Sequence, residues 1–124
     1  MSEAEVAWLA GLFDGEGSII QRHRRTPNDR AFEITITNGC KALIDKVAEI
    51  TGVGQISLSE RSKVNPRHAD IWIWHCYGTD VALELLARMR PWLLARAERA
   101  DAVLAGEPFP RQERWDHIYP PAIT

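Results

Sequence analysis

Cysteine and long apolar runs are both scarce in this sequence, and each scarcity excludes a class of protein. The two cysteines, Cys40 and Cys76, are too few and too far apart to indicate a zinc site or a disulfide scaffold. No apolar run approaches the roughly 20 residues that cross a membrane, and none has the pattern of a secretory leader. We therefore expect a cytoplasmic protein that has no membrane partner.

Positive charge is also not in excess. The chain of 124 residues has a formal net charge of −2 at pH 7, which is typical of an ordinary acidic domain rather than of a nucleic-acid binder. Net charge governs long-range attraction, however, whereas binding depends on where the charges lie. Twelve of the fifteen basic residues are arginine, which pairs with phosphates and with guanine better than lysine does.

The composition predicts one compact domain. A hydrophobic content of 45% over this length is enough for a proper core. We place the domain at 1–106 and a proline-containing tail at 107–124, which would pack through Phe109, Trp115 and Tyr119 if it is ordered.

The first helix is the best-marked element of the sequence. Ser2 and Glu5 form a capping-box pattern, which predicts a helix over 3–14. Ala7 and Gly11 give this helix a second face that is almost without side chains. An interior glycine costs about 1 kcal/mol relative to alanine in a helix, so we expect another helix to pack closely there. The segment 14–17 then sets two carboxylates between two glycines.

The rest of the chain alternates hairpins and helices. Strands are predicted at 18–25, 31–38, 53–61 and 69–77, and further helices at 40–51, 78–90 and 92–105. On the last strand we place Trp72, Trp74 and Cys76 in the core. This order is typical of an α+β domain in which one antiparallel sheet carries its helices on a single face.

The segment 9–17, Leu-Ala-Gly-Leu-Phe-Asp-Gly-Glu-Gly, resembles the LAGLIDADG signature of homing endonucleases. Phe13 stands for isoleucine, Gly15 for alanine and Glu16 for aspartate. The resemblance covers about 2–105 and implies the αββαββα(α) fold, whose saddle-like sheet lies along the DNA major groove. A single copy of the motif implies a homodimer in which the motif helices pack together. The residues that we place at the dimer interface are Ala7, Ala10, Gly11 and Asp14.

The same resemblance implies a metal-dependent active site. Glu16 occupies the position of the metal-binding acid, with the backbone carbonyl of Gly15 as its companion, and Mg²⁺ is the expected ion. Asn38 matches a polar residue near the attacking water, although an Asn-Gly turn or a cap of the next helix explains it equally simply. Arg96 matches a basic residue that stabilises phosphate charge, and its alternative is a solvated helix surface. We take Asp14 as structural.

The polar residues of the two hairpins form the expected DNA-binding surface. Most basic residues outside the helices lie on strand ends and hairpin loops, where β-elements reach phosphates and base edges in the major groove. The predicted set is Arg22, Arg24, Arg25, Arg30, Glu33, Thr35, Thr37, Gln55, Ser57, Ser59, Arg61, Lys63, Arg67 and His75.

Three functions fit these patterns. The leading one is a homodimeric, site-specific endonuclease that hydrolyses both strands of double-stranded DNA with Mg²⁺. The second is a relative of this family that binds DNA or RNA without cleaving it, as a regulator or an intron maturase. The third is an unrelated α+β interaction module in which the motif is only a packing helix.

Overall fold

The computed structural model describes residues 1–107, so the predicted tail and its three aromatic residues lie outside the described part. The helices are α1 (Glu3–Glu16), α2 (Lys41–Thr51), α3 (Arg61–Val64), α4 (Asp80–Met89) and α5 (Ala97–Ala105), with a 3-10 turn at Arg90–Trp92. The strands are β1 (Gly17–Gln21), β2 (Phe32–Asn38), β3 (Gln55–Ser59) and β4 (Ile71–Tyr77).

The four strands form one antiparallel sheet in the order β1-β2-β4-β3. Alternate residues of β2 are fully buried, namely Phe32, Ile34 and Ile36. The residues between them are only partly buried, so the sheet has one closed face and one open face. Helices α1 and α2 pack against the closed face, which confirms the predicted α+β architecture.

The tryptophan-rich strand β4 faces the core with the predicted residues Trp72, Trp74 and Cys76, of which Trp72 is only partly buried. Trp74 is fully buried, and its ring nitrogen donates a 2.9 Å hydrogen bond to the carbonyl of Val53. A Cβ at Gly54 would lie 2.4 Å from that nitrogen, so the chain passes the indole at a distance that only glycine allows. Cys76 is buried on the same face.

In three places, contacts within the fold explain why an element boundary differs from the sequence prediction. Strand β1 ends at Gln21 rather than at 25, because the chain from 22 onward folds into a loop around Asp29. Strand β3 ends at Ser59, and the expected basic loop contains α3. Asp70 stabilises the start of α3 by accepting hydrogen bonds from the backbone and the hydroxyl of Ser62.

The third difference concerns the last helix, which begins at Ala97 rather than at 92. The segment between the 3-10 turn and α5 is held by hydrogen bonds to α1, as described below. Within residues 1–107, no helix combines the length and the apolar character needed to cross a bilayer.

Candidate active site at the end of helix α1

Helix α1 begins as predicted and extends two residues further than predicted. Ser2 and Glu5 form the reciprocal capping box, and the helix continues through Glu16 to an extended Gly17. Gly17 is required by close approach, since a Cβ there would lie 2.5 Å from the carbonyl oxygen of Phe13. A Cβ at Gly11 or Gly15 would meet nothing within 4 Å. The packing of a single chain therefore does not explain these two glycines.

The C-terminal end of α1 is a favourable place for a cation. The helix dipole is negative at this end, and the last turn contains no basic residue. Glu16 is exposed there. The carbonyl of Gly15 is among the last four of the helix, which have no donor within the helix. These are hard oxygen ligands of the kind that Mg²⁺ and Ca²⁺ prefer.

One chain supplies too few of these ligands to hold a metal ion. In residues 1–107, no group of three or more His, Cys, Asp and Glu side chains is arranged to bind one. The ligand chemistry at Glu16 fits a divalent ion, although the described part of one chain does not complete a cluster of such side chains around it.

Asp14 binds the segment that precedes α5. Its Oδ1 atom accepts hydrogen bonds from the backbone N–H groups of Leu94, at 3.0 Å, and Arg96, at 2.9 Å. Desolvation acts to raise the pKa of Asp14, but the backbone N–H groups of residues 94–96 and the charge of Arg96 outweigh it and lower the pKa. The structural role that we assigned to Asp14 is thus a contact within the chain, and its carboxylate is occupied there.

Arg96 is brought to the active-site end of α1 by this contact. Its Nε atom donates a 2.7 Å hydrogen bond to the carbonyl of Gly17, the residue directly after Glu16. Arg96 is partly buried and lies at the N-cap position just before α5, so it is not on a solvated helix surface, which was our alternative for it. Its guanidinium is anchored to the backbone of the residue that follows Glu16.

Asn38 was expected either near the attacking water or in a turn before the next helix, and its side-chain oxygen takes part in the turn. Its side-chain oxygen accepts a 2.8 Å hydrogen bond from the backbone N–H of Cys40, which makes an Asx turn before α2. Gly17 lies opposite Ile36 in the sheet, so Asn38 lies two residues beyond this pair, toward the end of α1. In the described part of the chain, its amide nitrogen donates no hydrogen bond to the protein and remains available.

Of the residues predicted at the dimer interface, Ala10 lies in the core rather than on the open side of α1. Ala10 is fully buried between the core residues Leu9 and Phe13, so it cannot touch another subunit. Gly11 is exposed and Ala7 is half-buried, and both lie on the same side of the helix as Gly15 because residues four apart share a face. The glycines of this face leave it open for close approach.

The polar residues predicted to contact DNA gather on the open face of the sheet. Residues Ser18, Thr35, His75 and Gln55 lie side by side across the four strands. Neighbouring rows on this face contain Glu33, Thr37 and Ser57, with Ser59 at the edge. His75 Nδ1 lies 3.3 Å from an oxygen of Glu33 without the angle of a hydrogen bond. The predicted common face is confirmed, and contact with DNA stays a prediction.

The first group of predicted arginines is partly tied up within the protein. The side chain of Arg22 is only 13% exposed, because it forms a 2.7 Å ion pair with Asp29 and lies over the ring of Tyr77. Arg25 also lies over this ring, 4.1 Å from its centre. Arg24 is exposed and forms no ion pair or side-chain hydrogen bond within the described residues. Arg22 is thus a poor candidate for base contact, whereas Arg24 is a good one.

The remaining basic residues lie in the two connections between paired strands, as predicted, but a short helix and two ion pairs orient some of them. Arg30 forms an ion pair with Asp80 at the first turn of α4, which directs its guanidinium toward that helix. Arg61 and Lys63 belong to α3, and Lys63 pairs with Glu60 in an exposed i,i+3 contact. Arg67 is exposed in the turn after α3.

Sequence reasoning missed two residues of this surface, Asp29 and Tyr77. Asp29 is 5% exposed, and it is the only buried charged side chain of residues 1–107. A Thr-Pro-Asn-Asp turn gave the sole hint of its position. The alternation of β4 puts Tyr77 on the face opposite Trp74 and Cys76, but a strand pattern does not show which loop will cover a side chain.

Comparison with protein families gives one match, the LAGLIDADG-like domain, over residues 3–88. A search of curated proteins finds no match.

Solved structures of homing endonucleases have a similar fold. The chain is 19% identical to the homing endonuclease I-CvuI in complex with its DNA target in the presence of Ca, with a TM-score of 0.64. It is 12% identical to the archaeal intron-encoded I-Vdi141I complexed with DNA, with a TM-score of 0.61. The alignments cover 83% and 82% of this chain but only 65% of each of those chains. A third similar structure, I-TnaI, aligns over 83% of this chain and 69% of its own length, with 14% identity and a TM-score of 0.55.

Proposed function

The chain belongs to the LAGLIDADG-like domain family, and on this premise we propose that it is a homodimeric, site-specific endonuclease that cuts double-stranded DNA with Mg²⁺. The observation that carries the proposal is the open glycine face of α1, which ends at an exposed Glu16. Two chains that pack through this face would bring their two Glu16 carboxylates together.

The dimer supplies what a single chain lacks. Each α1 would contribute one carboxylate and the carbonyl of Gly15, so that two copies double the set of oxygen ligands at the helix ends. Bound divalent ions neutralise charge on the attacking and leaving oxygens of a phosphodiester and activate a water. Complexes of I-CvuI with DNA are described in the presence of Ca and, with the DNA not cleaved, in the presence of Mg, which supports a divalent ion as the cofactor.

The chain's own groups would orient the DNA strand and the water. Arg96, anchored to the carbonyl of Gly17, places a permanent positive charge next to Glu16, where it would pair with the scissile phosphate. The free amide nitrogen of Asn38 would donate a hydrogen bond to a water near the end of α1. The Glu16 carboxylates of the two chains would bind the divalent ions that lie between the two copies of this arrangement.

The open face of the sheet would lie against the DNA. Its hydroxyl, carboxamide and imidazole groups can exchange hydrogen bonds with base edges in the major groove, where every base pair presents a distinct pattern. The exposed cations Arg24, Arg61 and Arg67 would contact phosphates at its margins.

A cleavage selection tests the proposal. The purified protein is incubated with Mg²⁺ and a randomised duplex library, and the cut products are sequenced. We expect enrichment of one near-palindromic site and a dimer by analytical ultracentrifugation. The Glu16→Gln variant, which keeps size and polarity but not charge, should bind this site and fail to cut it. Equal cutting by the variant, or a wild-type monomer at micromolar concentration, would overturn the proposal.

Binding of DNA or RNA without cleavage is the second candidate, and the length of Glu16 favours it. The extra methylene relative to aspartate moves the carboxylate by about 1.5 Å, which metal geometry tolerates poorly. In this case Glu16→Asp would create cleavage in a protein that binds its site but does not cut it. A regulator or an intron maturase would bind its nucleic-acid site in this way without cutting it.

A further inference from the structure

The loop between β1 and β2, residues 22–31, is tied down by a single buried carboxylate. Asp29 accepts hydrogen bonds from the backbone N–H groups of Arg25, at 2.8 Å, and Ala31, at 2.9 Å. It also forms the 2.7 Å ion pair with Arg22. All three partners lie in the same loop, where the backbone N–H of Arg22 also donates a 2.9 Å hydrogen bond to the carbonyl of Ala31, so Asp29 is the side chain that joins its two sides and its turn.

The loop is also tied to the rest of the protein. The guanidinium groups of Arg22 and Arg25 both lie over the ring of Tyr77, which projects from the open face of β4. The backbone N–H of Arg30 donates a 2.6 Å hydrogen bond to the carbonyl of Gly78. The loop is therefore attached to the same strand that contributes His75 to the open face.

The anchored conformation is strained, which indicates that it is held for a purpose other than stability. Ala31 has a φ of 63°, in the left-handed region that a residue with a Cβ adopts only at a cost. Its N–H is one of the two backbone N–H groups that donate hydrogen bonds to Asp29. Backbone strain of this kind is characteristic of sites that are organised in advance for a ligand.

The residues between the anchors are the ones left exposed. His23 and Arg24 lie between the two stacked arginines, and neither side chain forms an ion pair or a hydrogen bond within residues 1–107. Desolvation would raise the pKa of Asp29, but the N–H groups of Arg25 and Ala31, together with Arg22, lower it, so the carboxylate is charged at neutral pH and keeps its partners.

We propose that Asp29 is a positioning residue that holds this loop ready for DNA, so that Arg24 meets the duplex without a loss of loop entropy on binding. The inference rests on the proposed DNA-binding function. It assigns Arg22 to the internal support of the loop and Arg24 to the contact with a phosphate or a base edge. A ligand that meets an already ordered loop does not bear the ordering cost during association.

A double-mutant cycle on DNA affinity tests the role of Asp29. The variants are Arg24→Ala, Asp29→Ala and the pair, measured on the selected DNA site at fixed salt concentration. If Asp29 acts by positioning Arg24, each single change lowers affinity about tenfold, and the double change lowers it little further. A purely structural role would make the two losses multiply, and this result would overturn the proposal.

Asp80→Asn is the matched control, since it breaks the exposed pair between Asp80 and Arg30 at the same loop. We expect Arg24→Ala to lower DNA affinity by the same factor in the Asp80→Asn background as in the wild type. Asp29→Asn keeps a neutral acceptor of the same shape, so it is expected to recover part of the affinity that Asp29→Ala loses. It also serves as the second variant if Asp29→Ala does not fold.

Hydrogen exchange on the free protein separates this inference from the proposed function. The amides of Arg25 and Ala31 should be protected in the wild type and should exchange at least about tenfold faster in Asp29→Asn. Unprotected amides in the wild type would overturn the anchoring itself. Protected amides in a protein that binds no duplex DNA would overturn the proposed function, and with it the recognition role of the loop, while leaving the anchor in place.

Discussion

The carboxylate of Asp14 accepts a 2.9 Å hydrogen bond from the backbone N–H of Arg96, a residue 82 positions further along the chain. The side chain of Arg96 in turn donates to the carbonyl of Gly17. The two contacts form a reciprocal clamp between Arg96 and the residues on either side of positions 15 and 16. The end of the motif helix and the segment before α5 are therefore ordered together.

This clamp predicts a pH-dependent contribution to stability. The pKa of Asp14 is lower in the folded protein than its ordinary value of 3.8, so its stabilising effect is fully present above that value and is lost as the pH falls through the lower folded pKa. We expect Asp14→Asn to reduce the free energy of unfolding by about 1–2 kcal/mol at neutral pH and by much less once the pH lies below the lowered pKa of Asp14. Urea denaturation at several pH values measures this.

Asp45→Asn is the control for that series, because Asp45 forms an exposed i,i+4 pair with Lys41. Its effect should stay below about 0.5 kcal/mol at neutral pH. If Asp14→Asn lowers the free energy of unfolding by the same amount at every pH, the charge of Asp14 is not the source of the stabilisation.

Gly11→Val should separate folding from dimerisation. A Cβ at Gly11 meets nothing within 4 Å in the chain, and valine has a higher helix propensity than glycine, so we expect the variant to keep or slightly raise its thermal midpoint. The same side chain would block close helix approach, so sedimentation should give a monomer. Ala42→Val, on the exposed side of α2, should remain as dimeric as the wild type.

Arg96 should be needed for cleavage more than for binding. Its guanidinium is anchored at the end of α1, whereas the open face of the sheet carries the expected base contacts. We expect Arg96→Ala to lower the single-turnover cleavage rate at least about tenfold with little change in DNA affinity. Arg96→Lys keeps the charge but loses the Nε–H donor, so it should recover the rate only partly. A parallel loss of affinity and rate would place Arg96 in binding instead.

Trp74→Phe tests the core beneath the open face. The indole is fully buried and donates to the carbonyl of Val53, so the variant loses both volume and a hydrogen bond. We expect a loss of about 1–3 kcal/mol in the free energy of unfolding. Trp92→Phe changes an indole that is largely exposed, and it should cost less than about 1 kcal/mol.

The sequence alone determined the motif helix, the strand alternation and the α+β order. These features are local, since a capping box, an apolar period of 3.6 and an alternation of 2 are each written in consecutive residues. The Ser2–Glu5 box, the apolar face of β2 and the inward side of Trp74 were all predicted for this reason. The glycine face of α1 was also visible, because Ala7 and Gly11 are one helical turn apart.

Tertiary structure alone decided which polar groups are free. Arg22 and Arg24 follow the same alternation in sequence, yet Asp29 and Tyr77 bind Arg22 and leave Arg24 exposed. Ala10 and Gly11 are neighbours in the motif, yet one is in the core and the other is open. Such differences depend on contacts between distant segments, whose geometry is set by the packing of the whole domain rather than by local periodicity. For the same reason, the link from Asp14 to Arg96 and onward to Gly17 could be found only in the folded chain.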